Sequence, residues 1–246
     1  MTTESKETVN GASPVRSSDL LCPVAALYVR SDSIYKEMGL DCWDAERDAR
    51  NWPGGMPCVA HPPCRKWGAL KHRATKAPAW EHHLARLAVW QIRDNGGVLE
   101  HPLASVLWKD QGLPEPGERD RWGGWSMTIP QRWFGHPMEK LTKLYVCGCE
   151  PSDAPEVPYT MESATHAMGG KYIPGLNGQR RRLGRDGVLR LDASSQLIRE
   201  GTPPSFARWL VELARRCAKG HNAALTGGEA VPSNGVVGHS ESEKGE

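Results

Sequence analysis

Between Pro57 and Cys64 the chain reads Pro-Cys-Val-Ala-His-Pro-Pro-Cys, a short apolar run that ends in two prolines and a thiol. Proline has no amide hydrogen to give to a sheet ladder, so a strand through this run must stop at Pro62 and Pro63. The stop holds Cys64 in a stiff, exposed turn at the carboxyl edge of the sheet that the strand joins. Downstream, Trp80, Leu84, Leu87 and Gln91 or Ile92 recur at helical spacing, Asn95-Gly96-Gly97 supplies a stop, and Gly97–Pro102 reads as a second strand presenting Glu100. A strand, a helix and a strand in this order form a parallel unit. It carries a thiol and a carboxylate to the same edge, where open α/β sheets place their chemistry.

The remaining elements alternate in the same way. Ala25–Val29 and Asp41–Trp43 read as strands around a helical turn at Ser33–Met38, and Asp44 terminates the second of them. Trp125–Ile129 and Leu144–Cys147 follow, separated by the Gly135-His136-Pro137 loop. A last helix opens at Thr202-Pro203 and carries Phe206, Leu210, Leu213 and Cys217 on one face. The pattern predicts an α/β fold with a mainly parallel sheet flanked by helices. Residues 1–18 are rich in Ser, Thr, Glu and Gly, and residues 219–246 are small and polar, so both read as disordered tails around one folded domain at 19–218.

With 246 residues, 39% of them apolar and ten of them tryptophan, the chain can bury one substantial core. A net charge of +2 does not announce a nucleic-acid partner, so any such case rests on local clusters. No apolar run reaches membrane-spanning length and no hydrophobic signal core stands at the N-terminus, which predicts a soluble, cytoplasmic protein. Seven cysteines, an odd number, fit a reducing compartment better than a disulfide framework.

At Pro62-Pro63-Cys64 and Glu100 the sequence resembles the cytosine carbon-5 DNA methyltransferases. Their nucleophile lies in a strand-Pro-Pro-Cys turn, and their catalytic acid opens a Glu-Asn-Val turn at the end of the next strand. Here Glu100-His101-Pro102 keeps the acid alone. The resemblance extends from about Leu27 to Cys217. Leu144-Tyr145-Val146-Cys147-Gly148 looks like the family's late strand, Lys140 or Lys143 stands near its base-contacting arginines with Arg132 as a third candidate, and Thr202-Pro203-Pro204-Ser205-Phe206-Ala207 is similar to its final signature. The resemblance implies a Rossmann-like core, S-adenosylmethionine as methyl donor, Asp44 on its ribose and Asp48 on its adenine side, and DNA as partner. It also implies a compact relative of phage or mobile-element type, working in a host cytoplasm. The glycine-rich loop of the family is absent from Leu27–Ser33, and the span from Leu27 to Cys64 leaves room for about one crossover, so the cofactor half is shortened.

The chemistry joins these residues. Carbon-5 of cytosine becomes enamine-like only after a thiolate, here Cys64, adds to carbon-6, and Glu100 would relieve charge at the ring nitrogen-3. A base inside a duplex cannot reach such a pocket, so the substrate is flipped or single-stranded. Arg65, Lys66, Lys71, Arg73 and Lys76 form an acid-free stretch after Cys64 that suits phosphate, with Trp67 stacking or wedging, and Arg180-Arg181-Arg182 form a second cluster. Other readings stand beside this one. Cys64 could be a buried structural thiol, the basic runs solvated loops, Glu100 a salt-bridge partner of Arg65 or Lys66, and His61 and His101 structural hydrogen-bonders. Cys58, His61, Cys64, Cys147 and Cys149 could surround zinc, at a spacing that matches no standard knuckle. The whole chain could modify pyrimidines in DNA or free nucleotides without S-adenosylmethionine, or bind nucleic acid without catalysis.

Overall fold

The computed structural model describes residues 22–68, 71–162, 164–168, 171–174, 180–183, 189–191 and 200–226. Six strands, β1 (Ala25–Leu27), β2 (Asp41–Trp43), β3 (Cys58–Ala60), β4 (Gly97–Pro102), β5 (Trp125–Pro130) and β6 (Leu141–Cys147), form one mixed sheet in the order β2-β1-β3-β4-β6-β5. The first four strands are mutually parallel, whereas β6 runs antiparallel to both β4 and β5. Helices α1 (Ile34–Glu37), α2 (His82–Asn95), α3 (Leu107–Asp110) and α4 (Pro204–Thr226) flank it. The short strands β1 and β3 are apolar throughout because both of their faces are covered.

Side chains of a strand alternate between faces, and the register sorts them into two cores. Ala26, Val59, Val98, Leu144 and Val146 pack with Tyr35 of α1 and with Phe206, Leu210, Leu213 and Cys217 of α4. Ala25, Leu27, Cys58, Ala60, Leu99 and Tyr145 pack on the other face with Ala85, Ala88, Val89 and Ile92 of α2 and Leu107 and Trp108 of α3. Every one of the four α4 residues is fully buried, and each large one contributes about 1.5–3 kcal/mol through apolar burial. The helix can come this close because Gly148, at φ +100°, sits under it: a Cβ there would lie 2.7 Å from the Cys217 carbonyl oxygen.

Several sequence expectations change in detail. The span between Leu27 and Cys64 holds two crossovers rather than about one, because α1 has only four residues and the return from β2 to β3 is made by a loop with one 3-10 turn at Ala49–Asn51. The core stripe of α2 is its alanine and valine face; Leu84 and Leu87 are half-buried, and Trp80 lies in a 3-10 turn before the helix with 51% of its surface exposed. Helix α4 continues past residue 218 to Thr226. The expected tails at 1–18 and beyond 226 lie outside the described residues. A second sheet, β7 (His166–Met168), β8 (Lys171–Pro174), β9 (Arg180–Leu183) and β10 (Leu189–Leu191), occurs where no strand is legible in the sequence; its order is β7-β10-β9-β8. No helix among the described residues is long and apolar enough to cross a membrane.

Candidate functional site

The strand order reverses direction between β1 and β3, the crevice at which open α/β sheets bind ligands. Cys64 stands at that edge. Its carbonyl accepts the amides of Trp67 and Gly68, both at 2.9 Å, which folds the chain into a turn immediately after the thiol. The Trp67 carbonyl then accepts the Val106 amide at 3.0 Å, tying this turn to the loop after β4. Cys64 is exposed as a residue. Atoms packed around the sulfur still push its thiol pKa up, the carboxylates of Glu100 and Glu200 add to that, and the Lys140 ammonium works against it.

Because β3 and β4 pair Ala60 with Leu99, the next residues, His61 and Glu100, lie side by side on the α4 face. Glu100 accepts from His61 Nδ1 at 3.0 Å through Oε2, and from Gln131 Nε2 at 3.1 Å and Thr142 Oγ1 at 2.9 Å through Oε1. His61 Nε2 meets the hydroxyl of the fully buried Tyr35 at 2.8 Å. Burial alone would raise the Glu100 pKa; the hydrogen bond and charge of His61, with Lys140 and Thr142, outweigh it and hold the carboxyl down to about 2. An ionised carboxylate only accepts, so His61 carries a proton on Nδ1 and donates it to Glu100.

Of the predicted base-contacting residues, the fold brings Lys140 to this site. Its Nζ donates to the carbonyls of Glu200 at 3.3 Å and Gly201 at 2.7 Å, in the leader of α4, and it senses the charges of both Glu100 and Cys64. Lys143 pairs in register with His101, so it points to the α2 face, where its Nζ meets Glu115 at 2.9 Å and lies 5.3 Å from the Trp108 ring; at 2% exposure it is removed from the site. Arg132 is also drawn elsewhere, to the carbonyls of Thr160 and Glu162 and to Glu139 at 2.7 Å.

Trp67 is corrected as a stacking residue. It is buried in the α2-side core beside His82 and Arg86, where no base can reach its face. Arg65 is exposed but engages Glu81 through Nε at 2.6 and 2.8 Å, so its ion pair is with Glu81 rather than Glu100. Lys66 is half-buried, Lys71 and Lys76 are exposed, and Arg73 closes the 3-10 turn that Lys71 opens. Arg180, Arg181 and Arg182 belong to β9; their side chains lie outside the described residues. The thiols do not converge as a zinc site would require: Cys58 faces α2, Cys149 meets Cys217 with 3.2 Å between sulfurs, and among the described residues no three potential ligands gather.

The residues assigned to S-adenosylmethionine do not fit that ligand as they stand. Asp44 Oδ1 accepts the amides of Glu46 and Arg47 at 3.0 and 3.1 Å, and Oδ2 accepts Lys36 Nζ at 2.6 Å, so a ribose diol finds no uncommitted oxygen. Asp48 caps the Ala49–Asn51 turn through the Arg50 amide and holds the Arg50 guanidinium at 2.6–2.9 Å. After β1, where the resembled family needs glycine, Tyr28 takes the left-handed conformation at φ +58° and donates its hydroxyl to Gln91 at 2.7 Å. Beyond it Arg30 bridges Asp32 at 2.8 Å and Glu200 at 3.2 Å.

Sequence reasoning missed Gln131 and Thr142 as partners of Glu100 and Tyr35 as the partner of His61, and it treated His61 as structural. The only local signal was the position of His61 in the same run as Cys64. No protein-family model, no curated protein and no solved structure matches the chain.

Proposed function

We propose that this chain modifies carbon-5 of cytosine in DNA, as a cytosine carbon-5 methyltransferase-like enzyme with Cys64 as nucleophile. One observation carries the reading: the Pro-Pro-Cys turn follows β3, Glu100 lies toward the end of the adjacent parallel β4, and the His61–Glu100 hydrogen bond joins the two strands. The strand order supports a Rossmann-like core with a shortened cofactor half, since an order of 3-2-1-4-5 that lacks its third strand becomes β2-β1-β3-β4 on renumbering.

In this reading the Cys64 thiolate bonds to carbon-6 and the ring electrons move to nitrogen-3, which takes a proton from water while the Glu100 carboxylate accepts a hydrogen bond from the N–H so formed. Carbon-5 then attacks the methyl carbon of a donor, whose leaving group departs with the bonding pair, and loss of the carbon-5 and nitrogen-3 protons to water with expulsion of the Cys64 thiolate restores the ring. Lys140 opposes the rise in the Cys64 pKa and so favours the thiolate. The test is a covalent adduct with DNA carrying 5-fluorocytosine, which cannot lose a proton from carbon-5. Wild type and Cys58→Ala form the adduct and Cys64→Ala does not; an adduct that survives Cys64→Ala, or none in wild type, removes the reading.

A second reading keeps the Cys64 addition but replaces the methyl donor by another electrophile. The engagement of Asp44 by Lys36 and two backbone amides, and of Asp48 by Arg50, favours it. Calorimetry with S-adenosylmethionine, alone and with DNA present, separates the two: heat and methyl transfer support the methyltransferase, and neither supports the alternative.

A further inference from the structure

Trp80 lies beside the Cys64 turn, and nothing in the core explains its exposure. Pro78 opens its 3-10 turn, Ala79–Glu81, and the next residue, Glu81, is almost wholly buried against Arg65, the residue that follows Cys64. The Arg65–Glu81 pair therefore clamps the turn that carries Trp80 to the turn that carries the thiol. One side of the indole faces the Arg50 guanidinium at 5.1 Å, yet 51% of the residue remains open to solvent. Among the described residues no aromatic ring packs on it, in contrast to Trp90, which meets Trp122 edge-on at 5.5 Å.

The surroundings are basic. Arg50, itself paired with Asp48, faces the indole, Arg65 is held by the neighbouring Glu81, and Lys71 and Lys76 are exposed in the stretch that leads to it. A ligand that pairs phosphate charge with flat π-faces, repeated along a chain, satisfies an exposed indole among cations; a folded protein partner would want charged residues depleted from around the ring instead.

We propose that Trp80 is a stacking platform for a base of single-stranded or locally opened nucleic acid, next to the one addressed by Cys64. It takes the role that the sequence assigns to the buried Trp67. The assignment rests on the nucleic-acid reading above and specifies where the strand is held. It is independent of the chemistry at carbon-5.

Fluorescence anisotropy with a labelled single-stranded oligonucleotide of about twelve nucleotides tests it, using the full chain and the variants Trp80→Ala, Trp80→Phe and Trp90→Ala. Trp80→Ala is expected to weaken binding roughly 5- to 100-fold, the range for loss of one stacked base, while the slope of affinity against salt stays at the wild-type value because every phosphate keeps its cation. Trp80→Phe keeps a ring and restores most of the affinity, and Trp90→Ala leaves it unchanged. Wild-type affinity in Trp80→Ala, or equal losses in Trp80→Ala and Trp90→Ala, overturns the stacking role while leaving the nucleic-acid reading intact. Absence of binding by the wild type overturns both.

Discussion

Replacing Glu100 by Gln removes one charge without removing the side chain, and the geometry sets how much stability should depend on it. The carboxyl is held at about 2 against an ordinary 4.5, and its side chain is only 14% exposed, so little solvent screening applies. At about 1.4 kcal/mol per unit, the difference amounts to about 3 kcal/mol of folded-state preference for the ionised form. The folded value lies below the unfolded one, so the contribution is complete above pH 4.5 and disappears as pH falls toward 2. About 2 kcal/mol of it should be gone at pH 3. Urea unfolding of wild type and Glu100→Gln at pH 6 and pH 3 measures this, because the other carboxylates titrate in both proteins and cancel in the comparison. Wild type should lose about 2 kcal/mol more than the variant across that interval. Parallel losses would mean that His61, Gln131 and Thr142 do not hold an anion in the folded protein, and the electrostatic account of the site would fail.

Three further outcomes follow from geometry. Trp67→Ala should destabilise the fold by about 3–5 kcal/mol in urea melts, as expected for a buried tryptophan and not for a solvated wedge. Gly148→Ala should lower the melting temperature through more than about 1 kcal/mol of overpacking, since its Cβ would press on the Cys217 carbonyl at a left-handed φ; an unchanged melt would show that α4 can retreat freely. Neutralising Lys71 and Lys76 together should weaken binding of all oligonucleotides alike and reduce the logarithmic salt slope by about 0.7 for each phosphate that is no longer neutralised, read from titrations at several salt concentrations.

The sheet edge was legible because local rules define it. Two prolines end β3, Asn95 and Gly96 end α2, and Ser33 accepts the Tyr35 amide as the N-cap of α1. The facing of α2 was not legible, because the bulky residues advertise a stripe while the helix lies against the small side chains of Ala25, Cys58 and Ala60, where its alanines fit more closely. Lys143 and Lys140 look alike in sequence. Only the antiparallel register of β6 with β4, a long-range pairing, sends Lys143 to the far face. The same holds for the Glu100 site: Tyr35, Gln131 and Thr142 come from three separate elements, and no spacing along the chain announces their meeting. The strands of the second sheet are three or four residues long, too short for an alternation to register.

Helix α4 covers a sheet face whose strands are complete by Cys147, while the residues that cover it, Phe206 to Cys217, come much later in the chain. On the ribosome that apolar face leaves the tunnel without its cover. At typical synthesis rates the gap lasts roughly 4 to 14 s, long enough for a chaperone to bind or for two nascent chains to meet. Synonymous codons that slow translation between Gly148 and Pro203 would lengthen the gap and lower the yield without altering the packing of the finished protein.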